Sequence, residues 1–175
     1  MREQLLQAVG DRLREYLQTK DPALVVGEDS LAEAEGLMAG GGPGDLPVLY
    51  TCGLFFWFRS LALDDPGESL AALEVATLSM EFLFEADQER VPENFREGFE
   101  AVRTGDPAAA DPVLLWAYGR ARLRMFDENP LLATASEAAD VLRLALRAMP
   151  ERDDRRPILV DDLARAVTAV AAAQD

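Results

Sequence analysis

An all-α fold of about eight helices, arranged as antiparallel pairs, is what this sequence predicts, on three observations. Prolines stand where helices should begin, apolar residues recur at spacings of three and four, and one bulky-to-small pattern recurs at helix starts. No stretch alternates apolar and polar residues at period two, so no sheet is expected.

Proline is tolerated in a helix's first turn because its missing N–H has no partner there, and a preceding Asp or Asn can accept from the free amides. Asp21-Pro22, Asp65-Pro66, Asp111-Pro112 and Asn129-Pro130 follow this pattern, and Pro47 (after Asp45), Pro92 and Pro157 mark further starts. Reading between these marks predicts helices over 2–18, 22–38, 46–63, 66–86, 92–104, 111–127, 130–149 and 157–173. The third is apolar nearly all round, from Leu46 through Phe58, as expected of a central helix. In the fourth, Leu70, Leu73, Met80 and Phe84 lie on one side and Val75, Leu78 and Phe82 on another, so two faces should be buried. The seventh carries one stripe, Leu131, Ala135, Ala138, Leu142, Ala145 and Met149. In the eighth, Leu159, Leu163, Val167 and Val170 should cover the preceding pair, leaving Asp161, Asp162, Arg165 and Thr168 in water.

The length, 175 residues, suits one domain with a real core, and 49% hydrophobic with 28% charged residues is globular composition. The first residues carry Arg2 and Glu3 with no apolar run behind them, and the longest apolar stretch, 46–58, falls short of the ~20 residues a membrane span needs. A soluble, cytoplasmic chain without membrane contact is therefore expected. Seventeen basic residues face 32 acidic ones, a net charge of −15 that repels phosphate backbones and argues against nucleic acid as a partner. Sixteen of the basic residues are Arg, a composition expected of a GC-rich genome.

A helix-start pattern repeats along the chain: Leu5-Leu6 with Gly10, Val48-Leu49 with Gly53, Leu114-Leu115 with Gly119, and more weakly Leu159-Val160 with Ala164. A bulky residue follows each small one, at Leu13, Phe56, Leu123 and Val167. The small residues are 43, 66 and 45 positions apart, and the long interval holds one additional short helix at 92–104. Large residues that fill an interhelical gap beside small ones that allow close approach are the logic of stacked helix pairs.

In these features the chain resembles a tetratricopeptide-type array. Leu115, Tyr118-Gly119, Ala138, Leu142, Ala145 and Pro150 resemble the family's order of bulky, small, second-helix Ala, large apolar, Ala and Pro. The linker is about seven residues longer than a 34-residue unit allows, and Arg122 stands where the family usually has an aromatic. The chain is more similar to the longer, degenerate repeats of actinobacterial multidomain signalling proteins. The resemblance implies a single α-solenoid domain: a weak unit at 1–38, a unit at 45–86, the extra helix at 92–104, a unit at 111–149 and a capping helix at 157–173.

Several chemistries are excluded or disfavoured. With no His in the chain, imidazole catalysis and His-ligated zinc are unavailable within it. Cys52 is the lone cysteine, set in the apolar stretch, and reads as a buried structural thiol. The acids of Asp64-Asp65-Pro66-Gly67-Glu68 read as helix caps, Asp153-Asp154 as loop and Asp161-Asp162 as a solvated helix face. Gly40-Gly41-Gly42-Pro43-Gly44 lacks the Lys-Ser/Thr of a phosphate cradle and reads as a linker. Neither a metal nor a cofactor is expected.

What remains is an interaction module rather than an enzyme, binding another protein or a neighbouring domain of a longer chain. The resemblance carries a groove register onto this sequence, which selects Tyr50, Leu54, Trp57 and Phe58 in one unit and Trp116, Arg120, Leu123 and Arg124 in the next. An apolar floor beside two arginines would suit an acidic peptide. The alternatives are a helical-bundle enzyme or small-molecule binder with a carboxylate or apolar pocket, and a structural homodimer joined through the apolar third helix.

Overall fold

The computed structural model describes residues 1–42 and 44–174, so Pro43 of the glycine-rich linker lies outside the described residues. Among them are nine α-helices, one 3-10 turn and no strand. No helix among them is long and apolar enough to cross a membrane. The chain divides into two compact units, Met1–Val91 and Pro92–Asp175. The boundary falls between the unit read at 45–86 and the extra helix read at 92–104.

The first unit holds α1 (Arg2–Thr19), α2 (Ala23–Val26), α3 (Glu28–Gly40), α4 (Leu46–Ala62), α5 (Pro66–Ala86) and the 3-10 turn Gln88–Arg90. Proline punctuation works as expected at α4 and α5, where Asp45 accepts from the Val48 amide and Asp65 from the Glu68 amide. The helix expected over 22–38 is instead two, broken at Gly27, whose backbone is extended (φ −58°, ψ 149°). Glycine weakens a helix interior by about 1 kcal/mol, and here the break is also held open from outside. Arg59 of α4 donates through one nitrogen to the carbonyls of Val25 and Val26, at 2.8 and 2.7 Å, satisfying the end of α2. Arg12 of α1 pairs with Glu33 of α3 through two nitrogens, at 2.7 and 3.1 Å. The core is centred on α4, whose Val48, Leu49, Cys52, Phe55 and Phe56 are buried.

The second unit holds α6 (Glu93–Thr104), α7 (Pro112–Glu128), α8 (Leu132–Ala148) and α9 (Arg156–Ala172). The extra helix is α6, which ends on Gly105 in the left-handed region (φ 75°). Asp111 caps α7 by accepting from the Val113 amide at 2.8 Å. Asn129-Pro130, in contrast, terminates α7 instead of opening α8: the Asn129 amide bonds back to the Met125 carbonyl, and α8 begins at Leu132 without a side-chain cap.

Two of the four repeat positions are close approaches. A Cβ on Gly53 would lie 2.7 Å from the Met80 methyl of α5, and one on Gly119 would lie 2.5 Å from Cγ of Leu142 on α8. Gly119 and Leu142 stand at similar distances from the turn between them, and Ser69 donates to the Ser60 carbonyl across the turn of the other pair, so α4–α5 and α7–α8 are antiparallel hairpins. The other two copies do not behave so. A Cβ on Gly10 would meet nothing within 4 Å, and Ala164 is exposed. A close approach that the repeat did not reveal is Gly98 of α6, where a Cβ would lie 2.5 Å from Leu114. On α9 the buried residues are Leu159, Asp162 and Ala166, while Val167 is 43% exposed. The buried face is thus turned from the expected stripe, and it carries an acid.

These contacts predict a difference between two equivalent substitutions. Alanine gains about 1 kcal/mol of helix propensity over glycine. At Gly53→Ala the nearest obstacle is the far end of a flexible Met80, which can swing, and its Cγ at 3.2 Å needs to give only a few tenths of an ångström, so stability should stay within about 0.5 kcal/mol. At Gly119→Ala the obstacle is the branch point of Leu142 with its backbone N at 3.3 Å, and a loss of about 1–3 kcal/mol is expected. Parallel urea and thermal unfolding of the two variants measures this, and equal stabilities would refute it.

Candidate functional site

Between α3, α4 and α5 the first unit carries an open cleft of about 300 Å³, lined by Met38, Val48, Leu49, Cys52, Val75, Leu78, Ser79 and Phe82, with Gly41 and Gly42 at one end. Its lining is apolar because α5 repeats hydrophobic residues at helical spacing on this side: Ala71, Val75, Leu78 and Phe82. The floor is fully buried, Val48 and Cys52 being 2% and 1% exposed, whereas the rim residues Met38 and Phe82 are 36% and 42% exposed. The polar groups within it are turned inward. The Ser79 hydroxyl donates to the Val75 carbonyl of its own helix, and the Cys52 thiol points to the Ala34 carbonyl at 3.8 Å. Gly41 lets α3 end directly against Val48, since a Cβ there would lie 2.8 Å from Cγ1 of that residue.

The eight residues expected to line a groove are distributed differently. Tyr50, Leu54 and Trp57 do share one stripe of α4, on the side away from the cleft, with Tyr50 exposed and the other two half-buried. Phe58 is half-buried against α1, its ring 5.3 Å from that of Tyr16. On α7, Trp116 and Leu123 are buried, 4% and 2% exposed, and cannot serve as an open floor. The physical reason is α9. Trp116 donates its indole N–H to Asp162 at 2.8 Å, and Arg120 approaches the same carboxylate oxygen at 3.4 Å. Asp162, expected on a solvated face, is therefore 9% exposed and anchors α9 to α7. Arg124 is exposed on α7. For Arg120 a carboxylate partner is thus supplied by the chain itself.

Several other charged groups have structural duties. Arg122 donates to the Tyr118 hydroxyl at 3.1 Å, lies 5.3 Å over that ring and reaches Glu137 at 3.6 Å. Arg156 closes the end of α8 by donating to the carbonyls of Leu146 and Met149. Asp153 accepts from both the side chain and the amide of Arg155, which hold its carboxyl down to about 2. Glu74, in the middle of α5, is buried at 2% exposure. Among the described residues, no three His, Cys, Asp or Glu side chains converge in a manner that could hold a metal ion.

No protein family, curated protein or solved structure matches the chain.

Burial, reinforced by the nearby Asp45 charge, pushes the Cys52 thiol up to about 12. An unfolded thiol titrates near 8.5, so the folded-state value is the raised one. Stability should be complete below pH ~8.5 and decline as pH rises from there toward 12. In native protein at pH 8 a disulfide reagent should label Cys52 at least ~100-fold more slowly than in urea; equal rates would mean the thiol is accessible. For Asp162, replacement by Ala strands the buried Trp116 N–H and should cost about 1–3 kcal/mol. Asp162→Asn retains an acceptor and should lose less. If chemical unfolding ranks the two equally, the indole bond is not what holds α9.

Proposed function

We propose that the chain is a protein-interaction module whose binding site is the apolar cleft between α3, α4 and α5. The observation that carries this reading is the combination of a preformed, apolar, buried floor with large apolar residues left exposed at its rim. An exposed Phe and Met beside a cavity offer area to a partner that water does not reward, and such anchors concentrate binding energy. A partner side chain of Leu or Phe size, buried in such a cavity, contributes about 1.5–3 kcal/mol.

A small-molecule ligand is the weaker reading. At about 300 Å³ the cleft stands at the lower end of ligand-pocket volumes. No charged side chain or converging set of polar groups lines it to orient a ligand, since Ser79 and Cys52 are directed to backbone carbonyls. A homodimer through the third helix is disfavoured because α4 packs its apolar face against α5 and the other helices of its own unit. In place of the groove expected along Tyr50, Leu54 and Trp57, this reading puts the site on the opposite side of α4.

The test is comparative affinity capture with the full chain and with Phe82→Asp, a rim position 42% exposed, so that the variant should remain folded by circular dichroism. At least one protein should be retained by the parent and lost by the variant, with affinity falling about tenfold or more, equivalent to ~1.4 kcal/mol. Identical sets recovered on both would remove the cleft as the binding site.

A further inference from the structure

Two of the helices that frame the cleft are strongly one-sided in charge. Helix α3 carries Glu28, Asp29, Glu33 and Glu35, and α5 carries Glu68, Glu81, Glu85 and the buried Glu74, while neither carries a single Lys or Arg. The one basic residue of α4, Arg59, is committed to the carbonyls of Val25 and Val26. The first unit as a whole has 6 basic against 17 acidic residues, net −11, whereas the second has 11 against 15, net −4. Most of the chain's charge is therefore concentrated in the unit that holds the cleft.

The acids also stand where they would meet a bound segment. The α5 stripe Ala71, Val75, Leu78 and Phe82 is followed three residues later by exposed Glu85 and preceded three residues earlier by exposed Glu68. Across the cleft, exposed Glu35 precedes the rim residue Met38 by three positions on α3. Eleven residues separate Ala71 from Phe82, about 16 Å along a helix, which matches three turns of a second helix laid alongside. Spacing of four, three and four is the spacing with which one helix accepts the apolar residues of another.

We infer that the cleft's partner is a basic amphipathic helix of another protein, seating its apolar stripe along Ala71–Phe82 and placing Lys or Arg over Glu35, Glu68 and Glu85. This rests on the reading of the cleft as a protein-binding site. A second copy of this chain is a poor occupant, because its net charge of −15 would be brought against the same acids.

The experiment is a selection on the immobilised full chain from a displayed library of helical peptides. Every member carries a fixed Leu stripe at spacings of three and four, with polar positions varied among Lys, Glu, Gln and Ala. Enriched peptides should be net positive, and a synthetic copy of the best should bind about tenfold more weakly when salt is raised from ~50 to ~300 mM. Phe82→Asp separates docking from general attraction to an acidic surface: it adds a negative charge yet should abolish binding. Retained or tightened binding by that variant would overturn the seat on α5. Enrichment of neutral or acidic peptides that still depend on Phe82 would leave the cleft as the binding site and overturn the basic partner. If no peptide is enriched, the protein-binding reading of the cleft falls with it. Size-exclusion chromatography covers the remaining occupant, since a Phe82-dependent dimer would assign the cleft to a second copy.

Discussion

Close approach between helices at glycine is the constraint from which the rest of each unit follows. Met80 lies against Gly53, Leu142 against Gly119 and Leu114 against Gly98. In each case a long side chain occupies the volume a Cβ would take, and this sets how near the two helix axes can come. The α4–α5 and α7–α8 hairpins are fixed this way, and α6 is seated on α7 by the same means. Because α4 is held so close to α5 at Gly53, the other side of that pair is left with an uneven surface. Helix α3 ends there, at Gly41 against Val48, without filling it, and the cleft is the volume that remains.

Much of the helical framework was legible in the sequence because its signals are local. Asp45, Asp65 and Asp111 cap the helices their prolines announce, since capping needs only the next three residues. The glycines at 53 and 119 were legible because a residue that weakens a helix demands a packing reason. What the sequence concealed depends on distant partners. The break at Gly27 is completed by Arg59, more than thirty positions away, and Asn129-Pro130 could equally have been a start or a stop. Gly98 belongs to no repeat and carried no comparable signal.

The candidate site was harder to read for the same reason. Asp162 lies in a run of two acids beside exposed Asp161, and nothing local distinguishes the one that turns inward. Its burial is decided by Trp116, forty-six positions earlier, and that one bond moves an aromatic from the expected groove into the interior. A period of three and four cannot separate a face that is buried by a neighbour from one that waits for a partner. The α5 stripe at Val75, Leu78 and Phe82 was visible as a second apolar face, but its partial exposure became evident only once α3 and α4 were placed beside it.

The charge of the first unit bears on stability as well as on recognition. The first unit carries 17 acidic against 6 basic residues, and the Arg12–Glu33 pair neutralises one acid of α3. Arg12 lowers the Glu33 carboxyl below its usual range through that bond, so this acid stays ionised and paired as pH falls. The exposed Glu35, Glu68 and Glu85 contribute to a net charge of −11 in this unit, and like charge gathered in one compact unit opposes the compact state. A basic segment over the cleft would relieve that repulsion while covering Phe82 and Met38, so the same contact that confers recognition would also stabilise the fold by mass action. Apolar surface alone would accept many partners. In the proposed complex the acids flanking the cleft would add a cost for acidic ones, and selectivity would reside in that difference.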